Sequence, residues 1–432
     1  MKRGFYTIMA AQFFSSLADN ALLIAAIALL LSLHGPAWLT PLLKFFFTVS
    51  YVVLAAFVGA FADSMPKGRV MFVTNLVKIA GCVLIFLSAT VSLPGIEPHL
   101  FVLLAYAVVG LGAAAYSPAK YGILTELLPP EQLVVANGWI EGLTVASIVL
   151  GTVLGGILIG PRVSGLLLGI DFPFIDTGID TPAEAAIVVI MAVYVVAAIF
   201  NLAIPDTGAR YPHQERRPLK LLVDFSHCFR TLWSDKLGQI SLAVTTLFWG
   251  AGATLQFIVL KWAEQHLGLA LSQGALLQGV SALGIALGAV AAARLVPLKR
   301  ALSVLPAGIV MGFLVVAMIF LSWMPAVYLM LVAVGAMAGF FVVPMNALLQ
   351  HRGHVLLSAG HSIAVQNFNE NVSILVMLAI YALMIRLDLH INTIIVIFGL
   401  FVAGTMYLVM RWNAANHRRD PALDRLIGEA KH

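Results

Sequence analysis

Charge is what this sequence lacks. Only 10% of its 432 residues are Asp, Glu, Lys or Arg, against about 25% in an ordinary soluble domain, while 61% are hydrophobic. A chain so poor in charge cannot cover a water-facing surface, which excludes a soluble globular protein and makes the bilayer its solvent. Cysteine is almost absent: Cys82 lies in an apolar stretch and Cys228 in a basic one, so no disulfide framework is implied. Strict alternation of apolar and polar residues, the mark of a barrel wall, is missing as well. The apolar runs are instead long and continuous, as in NALLIAAIALLLSL and AAIVVIMAVYVVAAIFNLAI. In lipid such runs satisfy their backbone only as helices, so the fold class is an all-α membrane protein.

Catalytic signatures are missing too. There is no G-x-x-x-x-G-K-[ST] loop to cradle a nucleotide, no H-E-x-x-H or cysteine-rich metal constellation, and no G-x-S-x-G elbow. No histidine is followed five positions later by aspartate, the pattern of glycerolipid acyltransferases. An enzyme is therefore disfavoured, and neither a metal nor a cofactor is expected. The formal charge of +5 would hint at nucleic acid in a soluble protein; here basic loops that set topology account for it, and no nucleic-acid partner is expected.

About twelve segments are long enough to span: 6–33, 40–62, 70–92, 99–127, 133–160, 183–204, 238–264, 271–295, 301–322, 325–350, 358–386 and 390–412. The first reads as a span, since it is long and lacks the small-residue cleavage pattern of a leader. Lys2, Arg3, Lys67, Arg69, Arg294, Lys299, Arg300, Arg352, Arg411, Arg418 and Arg419 all fall on one side, which makes that side, with both termini, cytoplasmic. The polar stretch 205–237 divides six spans from six. Within it Leu222, Phe225, Phe229 and Trp233 recur at helical spacing, which predicts a short amphipathic helix on the inner membrane surface. The other long loop, 161–182, faces outward with Asp171, Asp176 and Asp180. The expected organisation is an amino-terminal bundle over 1–204, a linker over 205–237, a carboxy-terminal bundle over 238–413 and a tail over 414–432, in a monomer. The halves echo each other: GAFADSMPKGRVMFV from Gly59 matches GAVAAARLVPLKRALSV from Gly288, and GLGAAAYSPAKYGILTE from Gly110 matches GAMAGFFVVPMNALLQH from Gly335. Two similar six-helix halves are the mark of the major facilitator architecture.

Ionisable groups at membrane depth are functional candidates by default. Asp19 lies about 20 Å from the cytoplasmic end, Lys120 about 10 Å, Glu141 about 12 Å, Lys78 about 13 Å and Glu370 about 18 Å. Lys78 sits on a span that is usually peripheral and is read as snorkelling or packing. Lys120 and Glu141 share a depth on consecutive spans and form either a structural ion pair or part of a binding site. Asp19 has no obvious partner on its own helix. Glu370 stands among Gln366, Asn367, Asn369 and Asn371, too many amides for a lipid-facing surface. On span seven, Gly250 and Gly252 favour close packing and Gln256 is the central polar group. Asn346 is the repeat counterpart of Lys120, so the positive group comes from one half alone. Gly59, Asp63, Lys67 and Arg69 form the turn after span two and read as a gating latch.

With these residues in place the chain resembles the bacterial lysophospholipid transporters of the major facilitator superfamily. The likeness rests on AQFFSSLADNALL (11–23), GAAAYSPAKYGIL (112–124), LFWGAGATLQF (247–257), GFFVVPMNALLQ (339–350) and AVQNFNEN (364–371). It implies import of lysophosphatidylethanolamine and lysophosphatidylglycerol from the outer to the inner leaflet of the bacterial inner membrane, where a partner acyltransferase remakes the diacyl lipid. Two departures stand out: loop 161–182 is longer than usual, and Gln256 stands where the family often has a basic residue. For such a cargo Lys120 would meet the phosphate. Asp19 would accept from an ethanolamine ammonium or a glycerol hydroxyl. Asn20, Tyr116, Tyr121 and Asn137 would add hydrogen bonds, and the acyl chain would either lie against Phe45, Phe46 and Phe47 and neighbouring apolar walls or trail sideways into lipid. Rival readings are a proton-coupled exporter of amphipathic drugs using Asp19 or Glu370, a membrane-bound acyltransferase, and a non-transporting scaffold.

Overall fold

The computed structural model describes residues 3–90, 95, 97–127, 130–170, 179–208, 217–357, 359–421 and 423. Every regular element among them is helical. The helices of the first half are α1 (Arg3–Ser32), α2 (Thr40–Val53), α3 (Val58–Asp63), α4 (Lys67–Thr90), α5 (Pro98–Leu127), α6 (Pro130–Ile159), α7 (Pro161–Leu168) and α8 (Pro182–Leu202). Those of the second are α9 (Pro218–Ser234), α10 (Lys236–Gln265), α11 (Leu271–Leu295), α12 (Leu305–Ala317), α13 (Met324–Leu356), α14 (Ala359–Arg386) and α15 (Ile391–Arg419). Eleven helical stretches among the described residues are long and apolar enough to cross a membrane.

The remaining expected span, 40–62, is not continuous. It is built from α2 and α3, separated by a turn over Leu54–Phe57 in which Phe57 N–H donates to the Leu54 carbonyl at 2.8 Å. No proline causes this break. Pro118 and Pro344, by contrast, lie inside unbroken helices of 30 and 33 residues. Other ends follow local chemistry. Thr181 and Glu184 form a reciprocal capping box at the start of α8, which satisfies two orphan donors. Asp235 caps α10 by accepting from Gly238 N–H at 2.7 Å.

The chain forms two compact units, Met1–Pro218 with Leu269–Gly279, and Leu219–Gly268 with Val280–His432. In the first, α1 packs against α6 and α8, and α4 against α5. A Cβ on Gly110 of α5 would collide with the Phe47 backbone of α2, so only glycine permits that approach. The second unit joins α11 to α13 in the same manner. Gly284 and Gly288 abut Val332 and Ala336, while Gly335 and Gly339 abut Ser281 and Ile285. Two facing G-x-x-x-G pairs thus let these backbones touch, as small residues do where lipid gives no hydrophobic drive to association.

Helix α9 forms where the periodicity predicts, yet its aromatic face does not lie on lipid. Phe225 and Phe229 set their ring edges against Phe368 of α14, and Leu232 joins a core cluster with Leu242, Leu349 and Val365. The expectation of a purely surface-bound helix is corrected: the carboxy-terminal half of α9 docks on its own bundle, while Leu219 and Val223 near its start stay exposed.

Candidate functional site

The first unit gathers polar side chains from four helices around Asp19. Tyr194 of α8 donates to Asp19 Oδ1 at 2.6 Å, and Lys78 of α4 reaches Oδ2 at 2.7 Å. The same ammonium donates to Ser15 Oγ at 2.9 Å and lies 4.9 Å from the Tyr116 ring centre. Ser15 donates to Asn75 Oδ1, and Asn75 donates to the Tyr194 carbonyl. Lys78 is 2% exposed and Asp19 17%. Lys78 therefore does not snorkel. Its side chain points inward, because a carboxylate, a hydroxyl and an aromatic face together replace the water that a buried ammonium loses. Asp19 does have a partner, on the third span rather than on its own helix.

Below this knot sits Lys120. Its ammonium donates to Thr144 Oγ1 of α6 at 3.2 Å, the oxygen that also accepts from Gln12 Nε2 at 3.1 Å. Gln12 also donates to the Ile140 carbonyl. Its Oε1 and the Tyr116 hydroxyl are buried and, among the described residues, take no hydrogen-bond partner. Lys120 and Tyr116 stand four residues apart on one face of α5. Asn20 spends its amide on the Ser16 carbonyl of its own helix at 2.8 Å. Tyr121, Asn137 and Glu141 lie on helices, but their side chains fall outside what the structure describes, and the proposed Lys120–Glu141 pair with them.

The second unit has a separate polar group. Gln366 Nε2 donates to Glu370 Oε1 at 2.7 Å and to Asn346 Oδ1 at 3.1 Å, which brings three expected residues together; Glu370 is 7% exposed. The rest of the amide run is spent otherwise. Asn369 accepts from the Trp233 indole at 3.2 Å, Asn371 donates to the carbonyl of Asn367, and Asn367 itself is half-buried. Gln256 is half-buried on α10. Gly250 packs on Ser373 and Met377 of α14, whereas Gly252 meets nothing.

At the turn after span two, Lys67 is 3% exposed. It donates to the Ala62 carbonyl at 2.9 Å and faces Glu126 of α5 at 3.8 Å. Glu126 also accepts from Thr207 at 2.6 Å. Arg69 is exposed, and the surroundings of Gly59 and Asp63 fall outside the described residues. A bidentate pair does comparable fastening in the second unit, where Arg352 grips the α10 cap Asp235 at 2.6 and 3.0 Å.

Sequence reasoning missed Gln12, Ser15, Asn75, Thr144, Tyr194 and Glu126. For the α1 members a signal existed: Gln12, Ser15 and Asp19 are spaced three and four apart, a polar stripe on an otherwise apolar helix. Asn75 and Lys78 repeat that spacing on α4.

The model of the Major Facilitator Superfamily matches residues 8–376. Proteins named lysophospholipid transporter LplT from Yersinia pestis and Yersinia pseudotuberculosis are 42% identical over 388 residues, covering 90% of this chain and 88% of theirs. Among solved structures, a bacterial homologue of the human lysosomal transporter Spinster aligns with TM-score 0.66 at 16% identity, covering 96% of this chain and 99% of its own. The POT-family transporter PepTSo aligns with TM-score 0.70 at 12% identity, covering 97% and 99%.

Proposed function

The chain belongs to the Major Facilitator Superfamily, and from that premise we propose that it carries lysophospholipids such as lysophosphatidylethanolamine and lysophosphatidylglycerol from the outer to the inner leaflet of a bacterial inner membrane. A family of transporters, rather than of enzymes, fits a chain without catalytic signatures. The observation that carries the choice of cargo is the 42% identity to lysophospholipid transporters over 90% of the chain. The polar groups of the first unit fit it chemically. Lys120 offers a point charge to a phosphate, held in place by Thr144 and Gln12. Tyr116 and Gln12 offer a donor and an acceptor to a head group. Asp19 and Glu370 mark the two units' acidic positions, and rocking of the units would alternate access. Gly59, Asp63, Lys67 and Arg69, now joined by Glu126, would fasten the cytoplasmic end of the first unit. Reacylation by an acyltransferase on the cytoplasmic side would then trap the product.

Proton-coupled drug export is the weaker reading. That reading needs an acidic group open to the transport path, and both oxygens of Asp19, one of its two candidate carriers, are already engaged by Lys78 and Tyr194 at hydrogen-bond distance. Flipping of a labelled lysophospholipid in proteoliposomes tests the assignment. The wild-type protein should move lyso but not diacyl lipid without a proton gradient. Lys120→Ala should reduce the rate at least tenfold with an unchanged melting temperature. Full transport by that variant would remove Lys120 from the site.

A further inference from the structure

One intramembrane cation has no part in the clusters above. Lys44 is the sole charged residue of α2, TPLLKFFFTVSYVV, one turn from the helix start. A lysine so placed ordinarily runs its stem back to the surface. Here the side chain is half-buried and its ammonium lies 5.0 Å from the centre of the Phe47 ring, three residues further into the helix. Among the described residues it has no hydrogen-bond or carboxylate partner. The acidic charge acting on it is that of Asp19, but both Asp19 oxygens are already taken by Tyr194 and Lys78. Lys44 and Lys78 against Asp19 leave one positive charge in excess. An aromatic face offsets only part of what an ammonium loses on leaving water, so this corner of the first unit favours an anion.

The neighbours specify which kind. Phe45 and Phe46, both half-buried, follow directly, and Phe47, itself buried, sets its ring at a tilt against Tyr51 and Tyr106. A cation at the head of an aromatic wall suits a ligand with an anionic group at one end and a hydrocarbon chain behind it.

We propose that Lys44 is a phosphate-binding residue: it receives the phosphodiester of the incoming lysophospholipid on the outer side of the Asp19–Lys78 pair, with the acyl chain against the half-buried Phe45 and Phe46, before Lys120 takes it on the inner side. This rests on the cargo proposed above and adds the place where that cargo is first held.

The test uses full-length protein in proteoliposomes, with initial flipping rates of acyl-labelled lysophosphatidylethanolamine measured against its concentration for wild type, Lys44→Met and Lys44→Arg. Lys44→Met should raise the half-saturating concentration about tenfold and leave the maximal rate within about twofold, while Lys44→Arg stays near wild type. Added lysophosphatidylethanolamine should raise the melting temperature of wild type and Lys44→Arg more than that of Lys44→Met. An active wild type with an unaltered half-saturating concentration in Lys44→Met overturns the role of Lys44 alone. Equal impairment of the Met and Arg variants also overturns it, by showing a packing role. A wild type that flips no lysophospholipid removes the cargo assignment and this inference together. Should Lys44→Met fail to fold, Lys44→Gln carries the same comparison.

Discussion

Asp19 and Lys78 show how a side chain's environment decides what its charge means. Alone, either would be an uncompensated ion in an apolar bundle; together, with Ser15 and Tyr194, every oxygen and most of the ammonium's donors are satisfied. Breaking a buried pair by removing one partner costs about 3–5 kcal/mol, whereas replacing both by apolar groups can be nearly neutral. Lys78→Met and Asp19→Asn should therefore each lower the melting temperature in detergent, and the double variant should recover much of the loss; additive losses would show that the two do not act as a pair. Lys120 is held differently, through Thr144. Thr144→Val keeps the shape and removes the acceptor, so it should weaken lysophospholipid affinity several-fold without changing the melting temperature.

At the scale of helices, contact geometry sets what is tolerated. A side chain at Gly288 would strike the Ala336 backbone, which cannot swing aside, while Gly404 on α15 faces open space. Gly288→Val should abolish accumulation of folded protein and Gly404→Val should be silent, as read by size-exclusion profiles in detergent. Most helices were legible because uninterrupted apolar runs in lipid have one way to satisfy their backbones. The break over Leu54–Phe57 was not, because nothing in LAAF differs from helical sequence nearby. The docking of α9 was hidden for a related reason: Phe225, Phe229 and Trp233 fit lipid and Phe368 equally well, and periodicity reports an apolar face without naming its cover. Among the candidate residues of each unit, Asp19 and Lys120 in the first and Gln366 and Glu370 in the second stand out as charges or amides against an apolar background. Asn75, Tyr194 and Thr144 did not, since single serines, threonines, asparagines and tyrosines are common in spans and only proximity gives them roles. For Lys78 the sequence leaves snorkelling and inward packing both open, because it gives the depth of the side chain and not its direction; the structure takes the inward one.

For the whole molecule, orientation decides the direction of transport, and the chain carries its own reporter of it. Basic residues cluster at one set of loops, from Lys67 and Arg69 to Arg418 and Arg419, and we propose on that bias that those loops are cytoplasmic. Helix α9 lies on that side, and it bears one of only two cysteines; the other, Cys82, is 0% exposed inside the first unit. A membrane-impermeant maleimide should leave the protein unlabelled in intact cells and label it once in inside-out vesicles, at Cys228, with Cys228→Ser abolishing the signal. Partial burial, helped by Asp224, raises the Cys228 thiol above its ordinary value. The thiolate is the reactive form, so labelling should be slow near neutrality and keep accelerating as pH rises past the range where a free thiol has already ionised. Labelling from outside intact cells would turn the topology over, put Lys44 on the cytoplasmic side and Lys120 on the outer, and reverse the order in which the two lysines meet the phosphate.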